Sequence, residues 1–187
     1  SNNWYAGLWI GRGMRSAGIT ERFINSLTVG LDPYEMLGNP QLKPEANNQA
    51  DITVAYRSEK SSVELNAYAS VISNYISSVI NTSVAPRITT APGVRQYINI
   101  KDARLYGFEF SWLQQWIPQL HQQISLTYVY GENRITDNPL PEISPIEFRY
   151  KLEGALWNKK LMPDLAIRYA GKQDRVAADF GEKKTSS

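Results

Sequence analysis

The sequence predicts an all-β chain, an antiparallel up-and-down meander of about seven strands in which long and short connections strictly alternate. Three observations predict it. Apolar and polar residues alternate singly through segment after segment. Tight turns alternate with long loops rich in Pro, Asn, Thr and Gly. Trp and Tyr gather near the ends of the apolar faces.

The elements follow in order. "NWYAGLWIGRG" opens the meander and is its least regular strand, with Trp4, Leu8 and Ile10 opposing Tyr5 and Trp9. A long loop over 14–46 follows, in which Thr20 is placed to cap a short helix holding Phe23, Ile24 and Leu27. The run "GNPQLKPEANNQADITVAYRS" begins stiffly, with Pro40 and Pro44, and then alternates: Ile52, Val54 and Tyr56 oppose Asp51, Thr53, Ala55 and Arg57. After the turn 58–61, Val63, Leu65, Ala67 and Ala69 oppose Glu64, Asn66, Tyr68 and Ser70. A second long loop covers 80–96. "RLYGFEFSWLQQW" then sets Tyr106, Phe108, Phe110, Trp112 and Trp116 against Gly107, Glu109, Ser111 and Gln115. Beyond the turn 117–121, Ile124, Leu126, Tyr128 and Tyr130 share a face, and a third long loop spans 132–144. Ile146, Phe148, Tyr150 and Leu152 oppose Glu147, Arg149, Lys151 and Glu153; the turn 158–163 leads to Leu165, Ile167 and Tyr169.

A meander with every second connection long gathers the long loops at one end and the tight turns at the other. Trp112, Trp116 and Trp157 fall beside short turns, whereas Tyr128, Tyr130 and Tyr150 are expected toward the long-loop ends. Rings at both ends of an apolar band are the pattern of an interfacial girdle.

Composition removes several classes. Apolar residues at 42% and aromatics at 11% exclude a disordered chain, and the scattered charge, net +2, offers no block for nucleic acid. No apolar run is long enough for a membrane helix, but a barrel strand needs only about 9–11 residues, half of them polar. There is no Cys, and the one histidine, His121, sits beside a turn. Neither a Cys–His nor a zinc-type ligand set can be assembled. "GRGMRS" lacks the third glycine and the following helix of a phosphate loop. No catalytic residue, metal ligand or cofactor is expected, and the chain does not read as an enzyme.

Two readings then remain. The strands form a wall of a transmembrane β-barrel, with charges such as Glu147 and Arg149 lining a hydrated lumen. Alternatively they form a soluble β-sandwich, a carbohydrate-binding module using exposed aromatics for stacking. The fate of the apolar face separates them. A sheet of this kind alone in water, with two open edges and a bare apolar face, is expected to stack on itself or to curl.

Three stretches carry a family resemblance. "GRGMRSAGITERF", "GNPQLKPEANNQADITVAYRS" and "YINIKDARLYGFEFSW" resemble the barrel portion of TonB-dependent outer-membrane receptors, in the expected order over nearly the whole chain, 1–187. The most specific piece places Asn39, Pro40, Leu42, Lys43, Pro44 and Glu45 ahead of an alternating strand, and Gly107 lies in the second, "ARLYGFE". The resemblance implies residence in the bacterial outer membrane, in contact with its lipid, and uptake of scarce nutrients such as ferric siderophores. It further implies an internal plug and an energy-supplying TonB complex. Neither a plug, an energy-coupling box nor an aromatic-ended terminal strand is legible here. A part of a receptor is therefore expected, unable to transport alone. The long loops become extracellular loops, with Arg22, Tyr34, Arg87 and Arg95 as candidates to meet an anionic metal chelate. Lys43 and Glu45 are expected to anchor a loop instead.

Overall fold

The structure is a computed structural model and describes residues 3–30 and 32–186. In chain order its elements are β1 (Trp4–Arg15), α1 (Ile19–Phe23), β2 (Asn25–Leu27), β3 (Glu35–Leu37), β4 (Glu45–Arg57), β5 (Ser61–Ile80), β6 (Val94–Ile117), β7 (Leu120–Asn133), β8 (Glu147–Gly154) and β9 (Asp164–Ala170), with a short 3-10 turn at Ala178–Phe180. The seven longer strands form one antiparallel sheet in the order β1-β4-β5-β6-β7-β8-β9, a meander interrupted only by the excursion through α1, β2 and β3. The sheet is not closed. A sandwich needs a second sheet, and the described residues form one.

Antiparallel partners that sit opposite one another share a face. The register therefore assembles a continuous apolar row, Ala6–Val54–Leu65–Phe110–Leu126–Phe148–Tyr169, across all seven strands. Below it runs a second row, Trp4–Tyr56–Val63–Trp112–Ile124–Tyr150–Ile167. Above it lies a third, Leu8–Ile52–Ala67–Phe108–Tyr128. From Trp116 to Tyr106 this belt covers ~34 Å of strand, which at barrel tilt is ~25 Å of height, the thickness a membrane barrel must match.

The belt is bare. Leu8 is 68% and Ile10 81% exposed, and the chain presents 12294 Å² to its surroundings, against ~9,100 Å² for a compact water-soluble monomer of this mass. No second sheet among the described residues covers the belt.

The reverse face is polar and knitted by side chains. Asn47 bonds to Gln49 and Gln49 to Asp51, Thr53 donates to Asn66, and Ser70 donates to Gln49. Further along the sheet Glu147 takes both Arg149 and Arg168, and Lys151 pairs with Glu153 at 2.6 Å. Gly107 belongs to this face. A Cβ there would collide with the Tyr128 carbonyl oxygen and lie 2.9 Å from the Tyr68 hydroxyl, so only hydrogen fits.

Three expectations change. The helix α1 is capped by Gly18, whose N–H donates to Glu21 at 2.6 Å; Thr20 lies inside the helix and Leu27 falls on β2. Tyr150 pairs with Ile124, level with Trp112, and so joins the ring of aromatics near the turns. The last short connection begins at Ala155, because Gly154 ends β8 against Pro163 and Leu120, and Trp157 sits within it.

Candidate functional site

Beyond the belt, β5 and β6 run on as a tall ribbon, from Ser73–Asp102 up to Ile80–Arg95, roughly 24 Å of further strand. Against it gather the three long connections, 16–44, 81–93 and 134–146, and the segment after β9. The most closely packed part of the molecule is here. Ile72, Ala103 and Leu140 form its core, with Tyr75, Ile100, Leu105 and Ile143 against them.

The first long connection is sewn to the ribbon by the proline-containing motif. Asn39 donates its side-chain amide to the Tyr97 carbonyl at 3.2 Å and accepts the Gln41 N–H at 3.0 Å. The carbonyls of Pro40 and Leu42 accept the Arg22 guanidinium at 2.7 and 2.9 Å, and Leu42 is buried. The backbone of Lys43 bonds twice to the Asn99 side chain, at 2.8 and 3.1 Å. Pro44 then holds the chain extended before β4. Glu45 accepts Arg15 at 2.9 Å and the Ile76 N–H at 2.9 Å. Gly38 lets α1 press close: a Cβ there would lie 2.6 Å from the Arg22 carbonyl. Backbone groups away from strand ladders need other partners, and Asn39, Pro40, Leu42, Lys43 and Glu45 each take part in one of these bonds.

Two buried charges hold the next layer. Glu35 on β3 accepts the N–H of Arg87 at 2.7 Å and of Ile88 at 2.9 Å, tying the second long connection to the first. These donors, Ile88 foremost and helped by the Ser26 hydroxyl, hold its carboxyl below the usual range although burial pushes the other way. Arg95, 4% exposed, pairs with Asp32. Its guanidinium lies 4.8 Å from the Tyr34 ring and 3.8 Å from the Phe180 ring, and donates to the Phe180 carbonyl at 3.3 Å. Three distant stretches of chain thus meet on one arginine.

Of the four loop candidates, Tyr34 and Arg95 come together, and Arg22 and Arg87 lie apart from them. Arg22 spends its guanidinium on loop carbonyls and Arg95 spends its own on Asp32 and two rings, whereas the Arg87 side chain is exposed. In the sequence Asp32 and Glu35 stand only as loop carboxylates with no acid/base spacing, and nothing singles out Asn99 or Phe180. Only Asp32 carried a signal, the Asp-Pro turn in which its side chain accepts the Tyr34 N–H at 3.0 Å.

A bare apolar belt, a polar reverse face and loops bound together at one end define one wall of a β-barrel with a built-up mouth. The chain belongs to the TonB-dependent receptor-like β-barrel family, whose family model matches residues 2–187. That family is one of receptors, characteristic of the bacterial outer membrane. Among solved structures, the chain is similar to the copper transporter OprC, at 24% identity and TM-score 0.72, over 94% of this chain and 25% of that one. It is also similar to a variant of the ferric enterobactin receptor PfeA of Pseudomonas aeruginosa, at 16% identity and TM-score 0.68, over 100% of this chain and 29% of that one. The siderophore receptor PirA of the same organism matches at 16% identity and TM-score 0.61, over 87% of this chain and 27% of that one. The chain spans between a quarter and a third of the length of these structures. No curated protein matches it.

Proposed function

We propose that this chain is a wall of an outer-membrane receptor that takes up a metal complex, such as a ferric siderophore. Energy is supplied through a TonB complex acting on other parts of the receptor. The observation that carries this reading is the apolar belt, seven strands wide and one membrane thick, with every long connection at the same end. Such a belt is stable only in lipid, which puts the long connections at one membrane surface. The family adds the direction, with those loops facing outward at 16–44, 81–93 and 134–146. There the exposed Arg87 is placed to meet an anionic chelate, while Arg22, Tyr34 and Arg95 hold the loops that surround it. The chain alone does not transport.

The test is uptake of radioactive iron from ferric chelates by iron-starved cells carrying the full receptor, with and without an uncoupler. Accumulation that stops with the uncoupler is the expected result. Uptake of copper but of no ferric chelate would replace the siderophore by another cargo. Recovery of the receptor in the soluble fraction would overturn the membrane reading altogether.

A further inference from the structure

On the belt side of the sheet, just past its last aromatic row, the chain carries a group of cations that the uptake function does not use. Tyr106 and Tyr130 close the belt, stacked at 4.6 Å and 19°. One step further up the same face Arg104 stands opposite Glu132 and pairs with it at 2.6 Å. Arg175 reaches in from the segment after β9, its guanidinium 3.7 Å from the Tyr130 ring and 3.9 Å from Glu132. In the next row Arg134 pairs with Asp102 at 3.3 Å.

These pairs are lopsided. Glu132 is 8% exposed, while Arg104, Arg175 and Arg134 are 45%, 41% and 45% exposed. One covered carboxylate serves two open guanidinium groups. Three arginines stand against two carboxylates, a surplus of one positive charge, and the neighbouring Lys172–Asp174 pair at 2.8 Å is neutral. All three guanidinium groups thus keep about two-fifths of their side-chain surface open beside the last aromatic row of the belt.

We propose that Arg104, Arg175 and Arg134 form a binding site for the phosphate of a membrane lipid headgroup in the adjoining leaflet. The chemistry suits it. Guanidinium groups take phosphate oxygens bidentately, and Tyr130 holds Arg175 flat against the wall. The lipid's chains continue down the belt past Tyr106 and Phe108, so headgroup and tail meet one unbroken surface. This inference rests on the membrane reading above.

The experiment places the full receptor in phosphatidylcholine nanodiscs doped with phosphatidic acid, whose headgroup is phosphate alone. Native mass spectrometry then counts the lipids that remain bound after a detergent wash. The expected result is selective retention of phosphatidic acid, weakened on the order of thirtyfold in the double variant R104Q/R175Q and about fivefold in R134Q. Equal retention of the two lipids by the unaltered receptor overturns the site without recourse to any variant. Loss of the bound lipid to millimolar inorganic phosphate overturns it in favour of a free-anion site. A receptor that enters nanodiscs but does not discriminate sinks this inference alone. One that never enters them sinks the membrane reading with it.

Discussion

The belt and the mouth are built on opposite rules. In the belt, large apolar side chains such as Trp4, Leu8 and Ile10 lie open, and the register repeats from strand to strand with one shift, at Gln115–Ile117 beside a tight turn. In the mouth, the buried groups include Glu35 and Arg95, and hardly two neighbouring contacts are alike. The difference follows from what surrounds each part. Where lipid is the solvent, the sheet satisfies its own backbone and asks only for apolar side chains. Where loops fold back on a ribbon in water, stray backbone groups must be matched one at a time, and charged side chains with several acceptor or donor positions do it.

The contrast can be broken most severely in the belt. Phe110→Arg, at the middle row, is expected to lower stability by ~3 kcal/mol, measured by urea unfolding of the receptor in detergent or lipid. The same substitution in a water-facing surface would cost far less, so a loss within ~0.5 kcal/mol would show that Phe110 does not face lipid. Gly107→Ala comes next, at about 2 kcal/mol, because the added methyl must displace the Tyr128 backbone. A thermal melt reads it, and an unchanged midpoint would mean the Tyr68–Gly107 contact is loose.

Substitutions in the mouth should act locally. Arg95→Leu is expected to cost about 1–2 kcal/mol, discounted because Asp32 remains partly open to water. Faster amide exchange around Tyr34 and over 176–182, with the belt strands unchanged, is the expected readout. A loss of protection in the belt as well would erase the distinction between the two regions.

The smallest effect is a titration. Glu35 has a folded pKa below its unfolded one, so its hold on the second long connection is complete above the ordinary carboxylate pKa of ~4.3. That hold is lost as pH falls through the lower, folded value. Exchange at the Arg87 and Ile88 amides should rise only in that acid window, and Glu35→Gln should remove the pH dependence. A rise that begins near neutrality would assign it to another group.

The same contrast explains what could be read in advance. Lipid imposes a period of two, and the alternation in Ile52–Val54–Tyr56 or Phe108–Phe110–Trp112 states it openly. Loop ends were legible from Pro40, Pro44 and the polar runs. Levels across the sheet were not: Tyr150 sits lower than expected because β8 starts only at Glu147, a matter of register that no single strand encodes. Nor does alternation announce Asn99, Glu35 or Phe180, whose partners lie 56, 52 and 85 residues away. Thr20 satisfied the rule for a helix cap, but Gly18 took the position because Glu21 reaches back to its N–H.

One feature of the mouth also orders events in time. The short strand β3 lies between β1 and β4 in the chain, yet it pairs in parallel with the start of β6, at the edge away from β5. It has no ledge to join until β5 and β6 have zipped to their tips. This seam joins residues about sixty positions apart, the widest separation among the strand pairings of the sheet, and so carries the largest loop-closure cost. The wall is thus raised first, and its mouth is the last part to set.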